Sequence, residues 1–174
     1  TQNAPQPKPL TGFGEPGWWG LTVSSGYANN FQGENSFNLG SVALTTFPVR
    51  DLELGFELGG WYFNQDGADT GGATLNLLAR WHFLEFNDYD WTVYADAGIG
   101  VLAAGNDVPE GGTNFNFNPR LGAGITKALG EGRRAPRLQV GVRWNHFSNA
   151  RIQGDDENPG RDDLMVYIGV VFSL

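Results

Sequence analysis

Apolar and polar residues alternate with a period of two along most of this chain. Successive side chains of a β-strand point to opposite faces, so each such run predicts a strand with one apolar and one polar face. Between the runs lie short segments rich in Gly, Pro, Asn and Asp, which are typical of turns. The pattern therefore predicts an all-β protein with eight strands, at about 18–27, 36–47, 52–63, 73–83, 91–101, 115–127, 138–148 and 162–174.

The two faces of the predicted strands differ in a way that indicates a membrane. The apolar faces have aromatic residues near their ends and aliphatic residues between them, like the lipid-facing band of an outer-membrane barrel. We expect these faces to point outward, including Phe37, Leu39 and Ala43 of the second strand. The polar faces carry charges of both signs, which we expect to form ion pairs inside the barrel: Glu53, Glu57, Arg80, Asp96, Arg120 and Arg143.

Strand length and loop length support the same architecture. Strands of about ten residues match the ~9–11 residues that cross a bilayer at a tilt. The connections alternate between mostly short segments and longer, polar ones at 28–35, 64–72, 104–114 and 149–161. Outer-membrane barrels have short periplasmic turns and long extracellular loops. The sequence thus predicts an eight-stranded antiparallel transmembrane β-barrel of the bacterial outer membrane over 18–174, with both termini in the periplasm.

Composition narrows the picture further. Residues 1–17 hold four of the nine prolines and little periodicity, so we expect an extended N-terminal tail rather than a ninth strand. The net charge of −8, without a basic stripe, argues against a nucleic-acid partner. The chain has no Cys, which excludes disulfide and thiolate chemistry. A first residue other than Met favours a processed, exported protein, and a sequence that starts part-way along a longer chain would look the same.

Candidate chemistry is concentrated in the last predicted hairpin. The apolar face of the strand at 138–148 runs to Trp144, and His146 and Ser148 follow on that same face. Asp162 begins the apolar face of the next strand, while Asp163 has the parity of the lumen. The period of two puts His146, Ser148 and Asp162 on one surface at the extracellular end, level with the outer leaflet. These residue types are a base, a nucleophile and an orienting carboxylate.

The spacing allows the three groups to meet. The Cα atoms of His146 and Ser148 should lie ~6.5–7 Å apart, and Asp162 can face His146 across the ladder. His146 would then accept the proton of Ser148, and Asp162 would fix the tautomer of the imidazole. Asn149, Asn158 and backbone N–H groups of the loop are candidate oxyanion donors. We expect no metal or other cofactor, because the chain has only two histidines.

The same hairpin resembles a known enzyme family. Its segments are HFSNA at 146–150 and NPGRD at 158–162. They are similar to the pattern H-x-S-N-A, then N-x-G-x-E, of the PagL-type lipid A 3-O-deacylases, which are eight-stranded outer-membrane barrels. The resemblance implies that His146 is the base, Ser148 the nucleophile and Asn158 an oxyanion donor. It also implies that the substrate is an ester on the lipid A of lipopolysaccharide in the outer leaflet, reached from the membrane-facing wall.

This chain departs from the family pattern in two respects, and other functions stay open. The family acid is usually Glu where this chain has Asp162, and the loop before it is longer. A second class of function is a non-catalytic small outer-membrane barrel, such as a scaffold, an adhesin or an envelope partner, that retains the motif. Polar residues where a strand leaves the membrane would account for His146 and Ser148 in that case. A soluble ligand-binding barrel is a third class.

The remaining polar features of the chain have simpler explanations. His82 is expected to be an interior residue bonded to its neighbours, and the acidic run at 155–157 to be a solvated loop face. Apart from lipopolysaccharide, a homodimer and association with other envelope proteins stay open as partners. An assay for released 3-hydroxy fatty acid separates the esterase from the non-catalytic barrel.

Overall fold

The computed structural model describes residues 11–31, 33, 35–152, 154 and 158–174. These residues form nine β-strands: β1 (Trp19–Asn30), β2 (Ser36–Val49), β3 (Leu52–Asn64), β4 (Thr70–Phe86), β5 (Trp91–Val108), β6 (Thr113–Phe117), β7 (Arg120–Ala128), β8 (Arg137–Phe147) and β9 (Arg161–Ser173). The strands pair in antiparallel fashion, and β9 also pairs with β1, so the sheet closes on itself. The part of the chain described contains no helix that is long and apolar enough to cross a membrane.

Strands β6 and β7 are two segments of one barrel strand. The interruption lies at Asn118 and Pro119, because Pro has no N–H to donate to a ladder. The N–H of Asn118 still donates to the carbonyl of Gly100 at 2.8 Å. Pairing with β5 keeps the same register on both sides of the break. The predicted strand at 115–127 is therefore a single strand of the barrel. The predicted eight-stranded architecture is confirmed.

The connections gather at two ends of the barrel. The base end carries Trp19, Ser173 and the connections 50–51, 87–90 and 129–136. The rim end carries the connections 31–35, 65–69, 109–112 and 148–160. The predicted loops at 64–72 and 104–114 are too long, since the ladder between β4 and β5 extends to Gly72 and Ala104 and β5 continues to Val108. At the rim ends of these strands the backbones remain hydrogen-bonded, although the apolar alternation of the sequence has already ended.

The predicted orientation of the faces is confirmed for every barrel strand except β2. On the others the apolar faces are largely exposed and the polar faces are buried. On β2, Phe37, Leu39 and Ala43 are buried inside, while Val42 and Leu44 are exposed on the outer wall. The prediction for this strand was wrong because both of its faces are apolar. Alternation separates the two faces of a strand but cannot say which of two apolar faces is inside.

The barrel interior is filled in three layers. The rim cluster packs across the rim end, and it consists of Phe37, Trp61, Phe63 and Phe147 with their neighbours. The base cluster fills the base end and consists of Phe13, Trp18, Phe47, Tyr89 and Val171. Between them lies the ion-pair layer, in which Arg80 meets Glu53 at 2.8 Å, Arg143 meets Asp96 at 2.8 Å, and Arg120 meets Glu57. The predicted interior ion pairs are thus present.

His82 belongs to the interior, as predicted. Its Nδ1 lies 2.8 Å from the hydroxyl of Thr92 and its Nε2 lies 3.2 Å from a carboxylate oxygen of Glu53. The ring also packs edge-on against Phe13 of the base cluster. Both ring nitrogens therefore have structural partners, which supports a structural role.

The expected tail at 1–17 is described from residue 11 onward, and residues 1–10 lie outside the described part. Residues 11–18 form turns at the base end. The N–H of Phe13 donates to the carbonyl of Arg133 at 2.9 Å, and Glu15 pairs with the Arg133 guanidinium. The Phe13 ring is 1% exposed and lies among the base cluster. This part of the chain therefore closes the barrel base.

Replacing Asp96 by Ala should destabilise the barrel by about 3–5 kcal/mol, because two buried guanidiniums lose their shared carboxylate. Asp96 accepts from Arg143 at 2.8 Å, lies 3.6 Å from Arg80, and also accepts from the Tyr167 hydroxyl at 3.1 Å. The matched control is Asp107→Ala on the exposed rim, which should change stability by less than about 0.5 kcal/mol. Urea unfolding in lipid vesicles measures the free energy of unfolding of both variants. Equal free energies of unfolding for the two variants would contradict the prediction.

Candidate active site

The candidate site lies on the outer wall at the rim end, where β8 ends and β9 begins. His146 and Asp162 are directly paired residues of the two strands. Their neighbours Phe147 and Arg161 point inward, so both candidate side chains point outward. The His146 side chain is 29% exposed and the Asp162 side chain 45% exposed, which leaves both accessible from outside the barrel.

A hydrogen bond joins the base and the acid. Nδ1 of His146 lies 2.9 Å from Oδ1 of Asp162. A carboxylate only accepts hydrogen bonds, so Nδ1 is the donor in this contact, and in the neutral imidazole the lone pair is then on Nε2. Within the described ranges, Nε2 of His146 has no hydrogen-bond partner. This arrangement leaves the second nitrogen able to accept a proton from a substrate or a nucleophile.

The register predicted for the two adjacent aspartates is confirmed. Asp163 is fully buried, and its carboxylate accepts three hydrogen bonds of 2.8–3.0 Å from the guanidinium of Arg161. That guanidinium also lies over the rings of Phe37 and Phe63 in the rim cluster. Because Arg161 and Asp163 are fixed inside, Asp162 between them is fixed on the outer wall.

Trp144 is a member of the site that the sequence analysis missed. Its indole N–H donates to Oδ1 of Asp162 at 2.9 Å, the same oxygen that faces His146. Its ring also stacks on the imidazole, with ring centroids 5.9 Å apart and an interplanar angle of 26°. The available signal was its parity, since Trp144 precedes His146 by two residues on the same face.

Ser148 lies just beyond the end of β8 and shares the outward face of His146. Its backbone forms a bridge to Phe117, with hydrogen bonds of 2.7 and 3.2 Å. The residue is half-buried, and the residues on either side of it are fully buried. Among the described residues no hydrogen bond joins the Ser148 hydroxyl to His146. The candidate nucleophile and the candidate base thus share a face, and the side-chain hydrogen bond of His146 is made with Asp162.

The interruption between β6 and β7 holds the end of β8. The carbonyl of Pro119 accepts the N–H of His146 at 3.0 Å, and the Asn118 side-chain amide donates to the carbonyl of His146 at 3.2 Å. On the interior side, Phe147 is fully buried among Phe37, Trp61 and Phe63. These contacts fix the backbone of the candidate base from both sides.

The two candidate oxyanion donors differ in position. The Asn149 side chain is fully buried, and its Oδ1 accepts the N–H of Arg151 at 2.7 Å in a turn where Ala150 and Arg151 both have positive φ. Oδ1 of Asn158 accepts the N–H of Asn149 at 2.9 Å. Its amide nitrogen has no partner in the described part of the chain. Among the described residues, the amide nitrogen of Asn158 is thus left available, whereas the side chain of Asn149 is held in the turn.

Gly160 lies beside the imidazole. Its φ is +67°, in the region that favours glycine, and a Cβ atom there would lie 3.5 Å from Cε1 of His146. The glycine therefore lets the chain turn into β9 close to the histidine ring. The acidic run at 155–157 lies outside the described residues.

Comparison with known proteins supports the resemblance of the hairpin and extends it over the chain. The family described as lipid A 3-O-deacylase (PagL) matches residues 10–171. The lipid A deacylase PagL of Bordetella bronchiseptica is 31% identical over 121 residues, which cover 64% of this chain. The matched region spans 58% of the length of that protein.

Solved structures agree with the fold. The crystal structure of the outer membrane enzyme PagL has a TM-score of 0.67 at 20% identity, and the match covers 85% of this chain and 97% of that one. Neisserial surface protein A has a TM-score of 0.64 at 12% identity, covering 89% and 95% of the two chains. Since the family match extends over nearly the whole chain, this outer-membrane β-barrel belongs to the lipid A 3-O-deacylase (PagL) family.

Proposed function

We propose that this protein is an esterase that removes the ester-linked 3-hydroxyacyl chain of lipid A. The observation that carries the proposal is the 2.9 Å contact between His146 Nδ1 and Asp162 Oδ1 on the outer wall, within the segment that matches the family motif. A group placed there faces the membrane, where the ester of a lipid is found. The non-catalytic barrel needs no such contact.

The proposed reaction has two steps. Nε2 of His146 accepts the proton of Ser148 as the serine oxygen attacks the ester carbonyl carbon. The bond from that carbon to the sugar oxygen then breaks, and the proton passes to this oxygen, which leaves as the sugar hydroxyl. Water hydrolyses the acyl-enzyme in the second step, again with His146 as base, and the 3-hydroxy fatty acid leaves. Asp162 holds the imidazole in the required tautomer and stabilises its protonated form. The amide nitrogen of Asn158 is the candidate donor to the oxyanion.

Asp162 is one methylene shorter than the Glu usual in the family, and direct pairing compensates for the difference in length. Residues directly opposite each other in an antiparallel pair have Cβ atoms about 4.5–5.5 Å apart. Asp162 is the direct partner of His146, so its short side chain reaches Nδ1 without an intervening water. The shorter acid therefore still makes the contact that the proposed mechanism needs.

The proposal is tested with the purified protein in detergent micelles containing lipopolysaccharide. Mass spectrometry should detect free 3-hydroxy fatty acid and a lipid A that is lighter by one acyl chain. Lipid A that retains only amide-linked chains is the matched substrate control and should release nothing. A correctly folded protein that releases no fatty acid from intact lipopolysaccharide would favour the non-catalytic barrel.

A further inference from the structure

Trp144 is half-buried on the outer wall and contacts both His146 and Asp162 of the candidate site. Its indole N–H donates to Asp162 at 2.9 Å, and its ring stacks on His146. The cross-strand partner of Trp144 is Leu164, so its indole reaches Asp162 along the diagonal of the ladder. This second contact is independent of the backbone pairing that brings His146 and Asp162 together.

We infer that Trp144 is a positioning residue, which holds the Asp162 carboxylate in the rotamer that keeps Oδ1 on His146. The inference rests on the proposed function. The Asp162 side chain is 45% exposed, and its two described hydrogen-bond partners are Trp144 and His146. An exposed carboxylate bonded to one partner would rotate toward water for part of the time. The second donor on the same oxygen opposes that rotation.

Because Asp162 is shorter than Glu, the indole N–H of Trp144 has a larger effect on the position of its carboxylate. Asp162 must reach Nδ1 from a fixed position, because Arg161 and Asp163 hold the backbone on either side of it. A longer acid could adjust through an additional side-chain torsion, which Asp does not have. Stacking of the indole on the imidazole limits rotation of the ring in the same way. Trp144 thereby fixes the relative orientation of the base and the acid.

The test compares Trp144→Phe, which removes the indole N–H and keeps an aromatic ring, with Trp81→Phe. Trp81 is 60% exposed on the outer wall and has no side-chain hydrogen bond among the described residues. Trp144→Phe should lower kcat on lipopolysaccharide about tenfold, equivalent to about 1.4 kcal/mol, with KM unchanged. Trp81→Phe should leave both constants unchanged. Thermal unfolding followed by circular dichroism checks that both variants are folded.

A double-mutant cycle separates positioning from a general structural effect. In an Asp162→Ala background, Trp144→Phe should cause no further loss of kcat, because its effect is transmitted through the carboxylate. The same tenfold loss in both backgrounds would overturn the inference, as would equal activity of the two Trp→Phe variants. In those cases Ser148→Ala still loses activity and the proposed function stands. Absence of release by the unaltered protein would overturn both.

Discussion

Ser148→Ala should abolish release of 3-hydroxy fatty acid, lowering kcat by at least about 10³-fold, because the acyl-enzyme cannot form without the hydroxyl oxygen. Folding should be unaffected, since the described residues give the Ser148 side chain no hydrogen bond and its backbone bridge to Phe117 remains. The measurement is the rate of fatty acid release from lipopolysaccharide by mass spectrometry, together with the unfolding temperature.

The matched control for this variant is Ser25→Ala. Ser25 is an exposed serine on β1 and lies within the same outer wall. It should keep full activity, which would show that loss of a wall hydroxyl is not harmful in itself. Retention of full activity by Ser148→Ala would contradict the assignment of the nucleophile.

Asp162→Asn should lower kcat by about 10²-fold or more while the protein stays folded. The neutral amide cannot stabilise the protonated imidazole, and it can present its NH₂ group to Nδ1 and so favour the wrong tautomer. Asp162→Glu keeps the charge and introduces the residue usual in the family, so it should retain activity within about tenfold of the unaltered protein. The measurement is kcat at saturating lipopolysaccharide.

Asp107→Asn is the control for the change of charge, because Asp107 is exposed on the rim and none of its described contacts is with the β8–β9 hairpin. It should have unchanged kcat. If Asp162→Asn also kept its activity, the carboxylate would have no role in the reaction and the His146–Asp162 contact would be structural.

The sequence predicted the orientation of side chains on β9 well, because the period of two is unbroken there. From Leu164 to Phe172 every second residue has a large apolar side chain, so the parity of Asp162 and Asp163 followed from this pattern and the structure agrees. The face of β2 could not be assigned in that way. The barrel interior near the rim is largely aromatic, so an apolar side chain there can point inward as well as outward.

Two features of the candidate site could be recognised only in the three-dimensional structure. In the sequence, Trp144 is indistinguishable from the aromatic residues that are common at membrane interfaces. The hydrogen bond from its indole to Asp162 is visible only in the three-dimensional structure. The interruption at Pro119 was visible as a proline within the predicted strand at 115–127. Its contact with the backbone of His146 depends on pairing between β7 and β8, which connects residues distant in sequence.

The filled interior has a kinetic consequence. The rim cluster and the base cluster are packed across the barrel, so under the proposed function the candidate groups on the outer wall can meet a lipid only by its lateral diffusion in the leaflet. The turnover rate should then follow the mole fraction of lipopolysaccharide in the membrane and not its amount in the suspension. Diluting the substrate with inert phospholipid at constant total lipopolysaccharide would slow such an enzyme, whereas an enzyme that takes monomeric substrate from water would not respond.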